Sequence, residues 1–232
     1  FMNKVAIIMP AYNEEKRIGS TLKAYSKYFE NLRNAKKLDY GILIVINGTT
    51  DKTEEIVKTY ANQNERIGYL NLGKGGKGYA ITEGFKYLIK KNFDYIGYKD
   101  ADMATTPEAF YELIENIEGY DCIIASRYIK GAVVKPRQTL MRIIFSRIYN
   151  MLIRALLFIP YRDTQCGAKL FKHDAIMEII DNLGMTKWAF DIDLLYMLKR
   201  NGLKVIEIPT TWSDSLGSKL DVKKTSIEMT ET

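Results

Sequence analysis

The chain has 232 residues, of which 47% are hydrophobic and 27% charged, a composition typical of a folded α/β domain rather than a disordered segment. Its formal net charge of +6 favours anionic partners, but no DNA- or RNA-binding motif accompanies it, so we expect no nucleic-acid partner. One histidine, His173, argues against a Ser-His-Asp or two-histidine metal mechanism. The two cysteines, Cys122 and Cys166, show no disulfide or zinc-ligand pattern.

The first half of the chain alternates short apolar runs with helical stretches. The predicted strands are Val5–Met9, Ile42–Ile46, Ile67–Leu70, Tyr95–Tyr98 and Cys122–Ala125. The predicted helices are Glu14–Leu32, Asp51–Asn62, Gly78–Lys91 and Pro107–Ile117. Because apolar strands that alternate with helices are typical of a covered parallel sheet, we predict an α/β, Rossmann-like fold with a mostly parallel sheet.

Polar clusters follow three of the predicted strands. They are Tyr12-Asn13-Glu14, Asn47-Gly48-Thr49 and Asp100-Ala101-Asp102. In open α/β sheets, ligands bind outside the carboxyl ends of the strands. We therefore expect these clusters to line one site.

Asp100 and Asp102 are the candidate metal ligands. Two carboxylates one residue apart can hold Mg²⁺ or Mn²⁺ against a diphosphate, because these cations prefer oxygen ligands shared with substrate phosphates. Taken alone, the pair is explained equally well as an acidic loop before a helix capped at Thr106 and Pro107.

Two other segments suit an anionic ligand. Residues 10–15, with the sequence PAYNEE, end the first strand, although Glu14 and Glu15 also suit the first turn of a helix. Residues 73–78 contain Lys74 and Lys77 and open a helix, so their backbone NH groups and charge can approach a phosphate. A flexible turn explains this loop equally well, because it matches neither glycine-rich nucleotide fingerprint.

Residues 138–159 predict an amphipathic helix. The stretch Leu140–Ile159 is apolar apart from a stripe formed by Arg142, Ser146, Asn150 and Arg154, with Arg147 beside it. Three arginines disfavour a membrane span, whereas a helix lying in a membrane surface fits the pattern. Packing against its own domain or in a homodimer fits the pattern equally well.

Three later segments carry further polar residues. The stretch Asp163–Lys169 reads DTQCGAK, and Trp188–Asp193 starts another predicted helix. The composition of residues 212–232 suits a mobile lid over the site, with Lys219 near its start as a cation. A loose tail explains the same composition equally well.

Together these segments resemble family 2 glycosyltransferases of the GT-A fold over nearly the whole chain, above all the dolichyl-phosphate glucosyltransferase and dolichyl-phosphate mannose synthase branch. The PAYNE segment at 10–14 looks like the opening nucleotide-site motif of the family, and Asp100-Ala101-Asp102 matches its DxD. Ala125-Ser126-Arg127-Tyr128 is similar to the (G/A)SRY motif of this branch. Arg142 and Ser146 match positions that the mannose synthases use to bind the lipid phosphate. The stretch Asp163–Phe171 looks like the DTQCGFKLF motif of the glucosyltransferases, with Ala168 in place of Phe. Residues 188–191 and 217–220 also match that group.

Two departures from the family pattern bear on the donor. The family usually has Asp-Asp-Gly-Ser after the second strand, whereas this chain has Asn47-Gly48-Thr49, and a neutral amide both donates and accepts. Both UDP-glucose and GDP-mannose therefore remain open as donors. Ala104 stands where mannose synthases place a polar residue, which favours glucose.

The resemblance implies an inverting hexosyltransferase that uses a nucleotide sugar and a polyprenyl (dolichyl-type) phosphate. We expect Asp102 and Asp100 to hold Mg²⁺ or Mn²⁺, and Asp191 to act as a residual base or to orient the acceptor. The predicted nucleotide-binding residues are Pro10, Tyr12, Glu14, Asn47, Lys77, Asp100 and Lys219. The predicted acceptor residues are Arg127, Arg142 and Ser146, and the predicted sugar residues are Asp163 and Gln165. An ionised lipid phosphate attacks without a general base, which suits a site without histidine.

Alternatives remain at this point. A transferase of the same fold with a saccharide hydroxyl acceptor, or a catalytically silent sugar-nucleotide-binding protein, fits parts of the same pattern. For the favoured interpretation we expect residues 1–232 to form a single GT-A domain at the cytoplasmic face of a membrane, either peripheral or anchored by a segment outside these residues.

Overall fold

The computed structural model describes residues 2–135, 140–184 and 190–213, with the backbone alone at 140–142, 144 and 145. The strands are β1 (Lys4–Ala11), β2 (Asp39–Asn47), β3 (Ile67–Leu72), β4 (Tyr95–Lys99), β5 (Cys122–Ser126), β6 (Val133–Lys135), β7 (Ala168–Lys172), β8 (Val205–Pro209) and β9 (Thr211–Ser213). The helices are α1 (Ile18–Asn34), α2 (Thr53–Gln63), α3 (Lys77–Leu88), α4 (Pro107–Glu115), α5 (Leu140–Leu157), α6 (His173–Ile179) and α7 (Phe190–Arg200).

The main sheet has the order β3-β2-β1-β4-β7-β5-β8, and all neighbouring pairs are parallel except those of β7. Both faces of the sheet are covered, because alternate residues of β1 enter different core clusters. Ile7 packs with α1, α2 and α4, whereas Ile8 packs with α3, α6 and α7. The predicted α/β fold with a mostly parallel sheet is therefore confirmed.

The five predicted strands and four predicted helices are all present, with ends that differ by a few residues. The largest difference is the start of α1, at Ile18 instead of Glu14. Asn13 takes a left-handed φ of 53°, and the amides of Arg17 and Ile18 both donate to the Glu14 carbonyl, so residues 14–17 form a turn before the helix. This turn leaves Tyr12 and Glu14 outside the helix, at the carboxyl end of β1.

Strand β7 was not predicted, and it decides the shape of the site. It runs antiparallel between β4 and β5, with Lys99 opposite Ala168 and Cys122 opposite Phe171. Because β7 enters the sheet at the carboxyl end of β4, the loop before it is brought against the residues that follow β4. The amide of Asp100 donates to the Gly167 carbonyl at 3.1 Å.

Helix α5 lies within the predicted range 138–159, and its polar stripe is divided, because Arg154 is exposed whereas Asn150 is turned inward. Asn150 is 3% exposed and accepts hydrogen bonds from the Thr164 amide and hydroxyl at 3.2 and 2.7 Å. The exposed side chains include a set that we call the α5 apolar face: Ile148, Met151, Leu152, Leu156 and the following Phe158. In the described ranges, no helix is both long enough and apolar enough to cross a membrane.

Candidate active site

Loops after β1, β2, β4 and β5 meet at one edge of the main sheet. Tyr12 is half-exposed after β1, and Pro10 lies within β1 opposite Val45. Asn47 ends β2, while Asp100 directly follows β4. The structure therefore brings the predicted nucleotide residues of these strands together, as the shared direction of parallel strands requires.

Asp51 joins the loop after β1 to the start of α2. Its carboxylate accepts hydrogen bonds from the hydroxyls of Thr49 and Thr53, at 2.8 and 2.5 Å, and from the amides of Thr53 and Glu15. Burial raises the pKa of Asp51, but these four donors outweigh it and lower the value to about 2. We did not predict a role for Asp51, although an Asp two residues before a Thr at a helix start is a recognisable capping signal.

Glu14 contacts its own turn in this structure. Its carboxylate pairs with Arg17 through two hydrogen bonds of 2.7 Å, and its amide donates to the Thr53 hydroxyl at 2.7 Å. These contacts hold the turn after β1 against α2. They give Glu14 a positioning role beside Tyr12, while direct contact with a nucleotide stays a prediction.

Asn47 lies beneath the loop at 73–76 and is 3% exposed. Its side-chain Oδ1 has no hydrogen-bond partner among the described residues. Gly48 has a φ of +70°, and a β-carbon there would lie 3.2 Å from the Gly75 amide nitrogen, so a larger residue would push the two loops apart. Buried polar atoms are normally hydrogen-bonded, so the unpaired Oδ1 of Asn47 is an unusual feature of this edge.

The DxD loop presents two carboxylates in fixed positions. Asp102 Oδ1 accepts a hydrogen bond from the Ala104 amide at 3.1 Å, across Met103 with its left-handed φ of 58°. Asp100 lies over Gly167, where a β-carbon would be 2.0 Å from Asp100 Oδ2. A side chain at position 167 would therefore displace the Asp100 carboxylate from its present position, a relationship that the sequence alone did not reveal.

The chemistry of these two side chains fits a divalent cation shared with a substrate. Among the described residues there is no cluster of three or more His, Cys, Asp or Glu side chains that could hold a metal alone. Two hard carboxylate ligands suit Mg²⁺ or Mn²⁺, which commonly take their other ligands from water and substrate phosphates.

Lys77, the first residue of α3, contacts Asp100. Its Nζ lies 2.6 Å from Asp100 Oδ1, and both side chains are partly exposed. Burial disfavours the ammonium, but the carboxylates of Asp100, Asp191 and Asp102 together outweigh it and raise the pKa of Lys77. Lys77 is therefore a cation at the DxD, close to the predicted diphosphate position.

Lys99 is a second lysine behind the same loop, and sequence analysis missed it. It is fully buried, and its Nζ lies 4.3 Å from the centroid of the Tyr25 ring, without a hydrogen-bond partner in the described ranges. Burial lowers the pKa of Lys99 to about 7, despite the opposing attraction of Asp102, Asp100 and Glu14.

Asp191 lies at the start of α7 and is bound by two groups from the sheet. Lys169 Nζ donates to Asp191 Oδ1 at 2.5 Å and to the Cys166 carbonyl at 2.8 Å, and the Tyr98 hydroxyl also donates to Asp191. Burial opposes the charged form, but Lys169 and Lys77 outweigh it and hold the pKa of Asp191 below its usual range. Such a carboxylate is a weak base, which favours an orienting role over proton abstraction.

Arg127 follows β5 and is paired with Asp163. Its Nε and Nη2 donate to the two carboxylate oxygens at 2.8 Å each, and its amide donates to Asp163 as well. Asp163 is fully buried and its own amide donates to Glu207 at 2.8 Å. The guanidinium also lies over the rings of Tyr128 and Trp212. Asp163 thus faces Arg127 and positions its guanidinium, while a direct contact between Asp163 and the sugar stays a prediction.

The predicted acceptor residues are only partly described. The Ser146 hydroxyl lies 2.9 Å from the Tyr128 hydroxyl, which connects α5 to the loop that carries Arg127. Gln165 is half-buried between Asp163 and Gly167. The side chain of Arg142, as well as Trp188 and Lys219, lies outside the described part of the chain.

The fold and the site together define a glycosyltransferase of the GT-A class. A family model described as Glycosyl transferase family 2 matches residues 6–180, so the chain belongs to that family. It is 30% identical to a dolichyl-phosphate beta-glucosyltransferase of Dictyostelium discoideum, over 97% of this chain and 71% of that protein. It is also 30% identical to the glycosyltransferase AglD of Haloferax volcanii, of which it spans only 36%.

The fold is shared with solved transferases of low sequence identity. Glucosyl-3-phosphoglycerate synthase of Mycobacterium tuberculosis, solved with Mn²⁺, uridine diphosphate and glucosyl-3-phosphoglycerate, superposes with a TM-score of 0.68 at 16% identity. The superposition covers 96% of this chain and 75% of that one. At this identity the likeness shows the GT-A fold alone. The family and the relatives place the chain in the branch that the sequence motifs predicted.

Proposed function

We propose that this protein transfers a hexose, with glucose favoured over mannose, from a nucleoside-diphosphate sugar to a polyprenyl phosphate at a membrane surface. The observation that carries this proposal is the position of α5. Its inward polar residues connect to the loops that carry Arg127 and Asp163, and its exposed side carries the α5 apolar face together with two arginines. An acceptor with a phosphate head and an apolar chain matches that combination.

The donor half of the site is the edge formed by β1, β2 and β4. Tyr12 and Asn47 border the nucleotide position, and Asn47 offers an unpaired acceptor to the base. Lys77 stands where it can meet the diphosphate. Mg²⁺ or Mn²⁺, held by Asp100 and Asp102, supplies positive charge to the leaving diphosphate when it is bound. Lys219 adds a further cation to the same diphosphate in this proposal.

The acceptor half is built around Arg127. The bidentate pair with Asp163 fixes the plane of the guanidinium and leaves its remaining NH donors for a phosphate oxygen. Ser146 and Arg142, one turn apart on α5, complete the phosphate position in this proposal. These positive and hydroxyl groups offset the repulsion between acceptor phosphate and donor diphosphate.

The reaction follows from these roles. A phosphate oxygen of the acceptor attacks the anomeric carbon of the donor sugar, and the nucleoside diphosphate leaves from the opposite side with inversion. Since the acceptor oxygen is already ionised near neutral pH, the site does not need a base. Asp191, with its lowered pKa, orients the reactants instead.

The α5 apolar face supports a location at a membrane surface. Leu156 is 72% exposed and Phe158 77%, and together with Ile148, Met151 and Leu152 they form a patch beside two exposed arginines, Arg147 and Arg154. Exposed apolar patches of this kind mark interaction sites, and flanking arginines suit anionic head groups. We propose that this face inserts into the head-group layer on the cytoplasmic side.

The test is a transfer assay with a short polyprenyl phosphate in vesicles, with UDP-glucose and GDP-mannose in parallel and Mn²⁺ or Mg²⁺ present. We expect transfer from UDP-glucose, lost in Asp102→Asn and retained in Glu108→Gln, which removes an exposed carboxylate on α4. A soluble hexose offered in place of the lipid should not be glycosylated. Donor binding without transfer to either acceptor would contradict the proposal.

A further inference from the structure

Lys77 occupies one oxygen of the first carboxylate of the DxD. Its ammonium contacts Asp100 Oδ1 at 2.6 Å, while Asp100 Oδ2 lies against Gly167. One oxygen of Asp100 is therefore paired with a cation and the other is packed against backbone. A divalent cation that binds Asp100 must meet the charge of Lys77 at short range.

The ion pair between Lys77 and Asp100 is partly exposed to solvent. The side chains of Lys77 and Asp100 are 36% and 41% exposed, and ion pairs of that exposure contribute little to stability. Lysine has a long, flexible stem, so its ammonium can leave one anion for another without movement of the backbone. Asp100, in contrast, directly follows β4, and its backbone amide donates a hydrogen bond to the Gly167 carbonyl at 3.1 Å.

A diphosphate is the anion that the position of Lys77 suits. Lys77 is the first residue of α3, a helix of 12 residues, and follows Gly76 with a φ of +130°. Among the described residues no side chain caps this helix start, so its first backbone NH groups are left without side-chain partners at the position where Lys77 begins the helix. An arriving diphosphate thus gives the ammonium a second, more highly charged partner.

We propose that Lys77 is an internal counter-ion that makes metal binding conditional on the donor. Without a nucleotide, Lys77 neutralises Asp100 and weakens the attraction of the DxD for a divalent cation. With a nucleoside diphosphate bound, Lys77 contacts the phosphates, and Asp100 is released for the metal. This inference rests on the proposed donor site and adds an order of binding to it.

The test is a titration of free Mn²⁺, followed by its electron paramagnetic resonance signal, with and without UDP. Without UDP, we expect Lys77→Met to bind Mn²⁺ about ten-fold more tightly than the wild type, because one nearby positive charge is removed. Lys77→Arg retains the charge and should bind as weakly as the wild type. The double variant with Asp100→Asn and Lys77→Met should lose the increase in Mn²⁺ affinity that Lys77→Met shows alone.

A matched control separates a local effect from the loss of any positive charge. Lys74 is an exposed lysine of the same loop, so Lys74→Met should leave Mn²⁺ binding without UDP unchanged. With UDP present, the wild type should bind Mn²⁺ tightly, and Lys77→Met should bind UDP itself more weakly.

Two results would overturn the inference while leaving the proposed donor site intact. One is Mn²⁺ affinity in Lys77→Met no higher than in the wild type, with tight Mn²⁺ binding by the wild type in the presence of UDP. The other is an equal gain in Lys74→Met. If no variant binds Mn²⁺ even with UDP, both the inference and the proposed donor site are wrong.

Discussion

The carboxylate of Asp100 lies over Gly167, with Oδ2 only 2.0 Å from where a β-carbon of residue 167 would be. Asp100 directly follows β4 and Gly167 directly precedes β7, and the two meet because β7 is inserted antiparallel beside β4. The position of the first DxD carboxylate therefore depends on a residue 67 positions later that has no side chain.

Gly167→Ala should displace Asp100 without unfolding the sheet. We expect Mn²⁺ affinity in the presence of UDP to fall by about 10- to 100-fold, the usual range when a residue supporting a metal ligand is changed. Isothermal titration calorimetry measures this directly. Gly19→Ala in α1 is the control, because a β-carbon there meets only ordinary contacts with Ile56 and Tyr60 of α2, at 3.6 Å or more. An unchanged affinity in Gly167→Ala would mean that metal binding does not depend on the position that Asp100 takes over Gly167.

Asp163→Asn should destabilise the protein, because it leaves the guanidinium of Arg127 in a largely buried position without its countercharge. Asp163 is fully buried and the Arg127 side chain is 12% exposed. Loss of one partner of such a pair costs roughly 3 kcal/mol of unfolding free energy. Urea unfolding provides the measurement, with Glu83→Gln as control, since the Glu83–Lys86 pair on α3 is exposed. Equal midpoints for the two variants would show that the buried pair contributes no more than a surface pair.

The sequence predicted β1 to β5 because they are apolar runs bounded by turn residues, but it did not predict β8, which pairs parallel with β5. It did not predict β7, whose five residues include Lys169 and Lys172 and so lack an apolar pattern. Lys169 can be buried in a strand only because Asp191 and the Cys166 carbonyl bind its ammonium. That compensation comes from a helix 22 residues further on, and no local pattern reveals it.

The functional site, like the sheet, was predicted only where the local sequence carries the information. The motifs identified Asp100, Asp102 and Arg127, since their residue types and positions after strands are visible in sequence. Their partners are not visible, because Lys77, Gly167 and Asp163 reach them only through the fold. The orientation of α5 has the same cause, since Asn150 is turned inward by hydrogen bonds from Thr164.

Lys99→Met should raise the free energy of unfolding at neutral pH. It should also remove the part of the pH dependence of that free energy that comes from titration of Lys99. The pKa of Lys99 is about 7 in the folded protein against an ordinary 10.5, so between these values the unfolded chain binds more protons. Wild-type stability should consequently rise with pH from about 7 to 10.5, and stay low below 7. Thermal unfolding across this range tests the sign. Lys23→Met, at an exposed position of α1, should keep the rise.

The α5 apolar face should determine vesicle binding. Leu156→Glu should reduce binding to anionic vesicles by about ten-fold, because insertion of a leucine side chain is worth roughly 1.5–3 kcal/mol. Met177→Glu is the matched control, since Met177 is a similarly exposed apolar residue on α6. Co-sedimentation measures both variants, and UDP binding should be unchanged in each. Equal losses in the two variants would exclude a specific role for α5.

The pH dependence of sugar transfer should reflect ionisation of the acceptor phosphate rather than of Asp191. A phosphate monoester loses its second proton near pH 6, so kcat/KM should rise through about pH 6 as the attacking oxygen ionises. Asp191 is already ionised there, because Lys169 and Lys77 overcome its burial and lower its pKa. Asp191→Asn should therefore slow transfer, since the reactants and Lys169 lose an orienting partner, but leave the midpoint of the rise in place. The measurement is kcat/KM from pH 5 to 8 for both proteins. Disappearance of the rise in Asp191→Asn would identify Asp191 as the base and refute unaided attack by the phosphate.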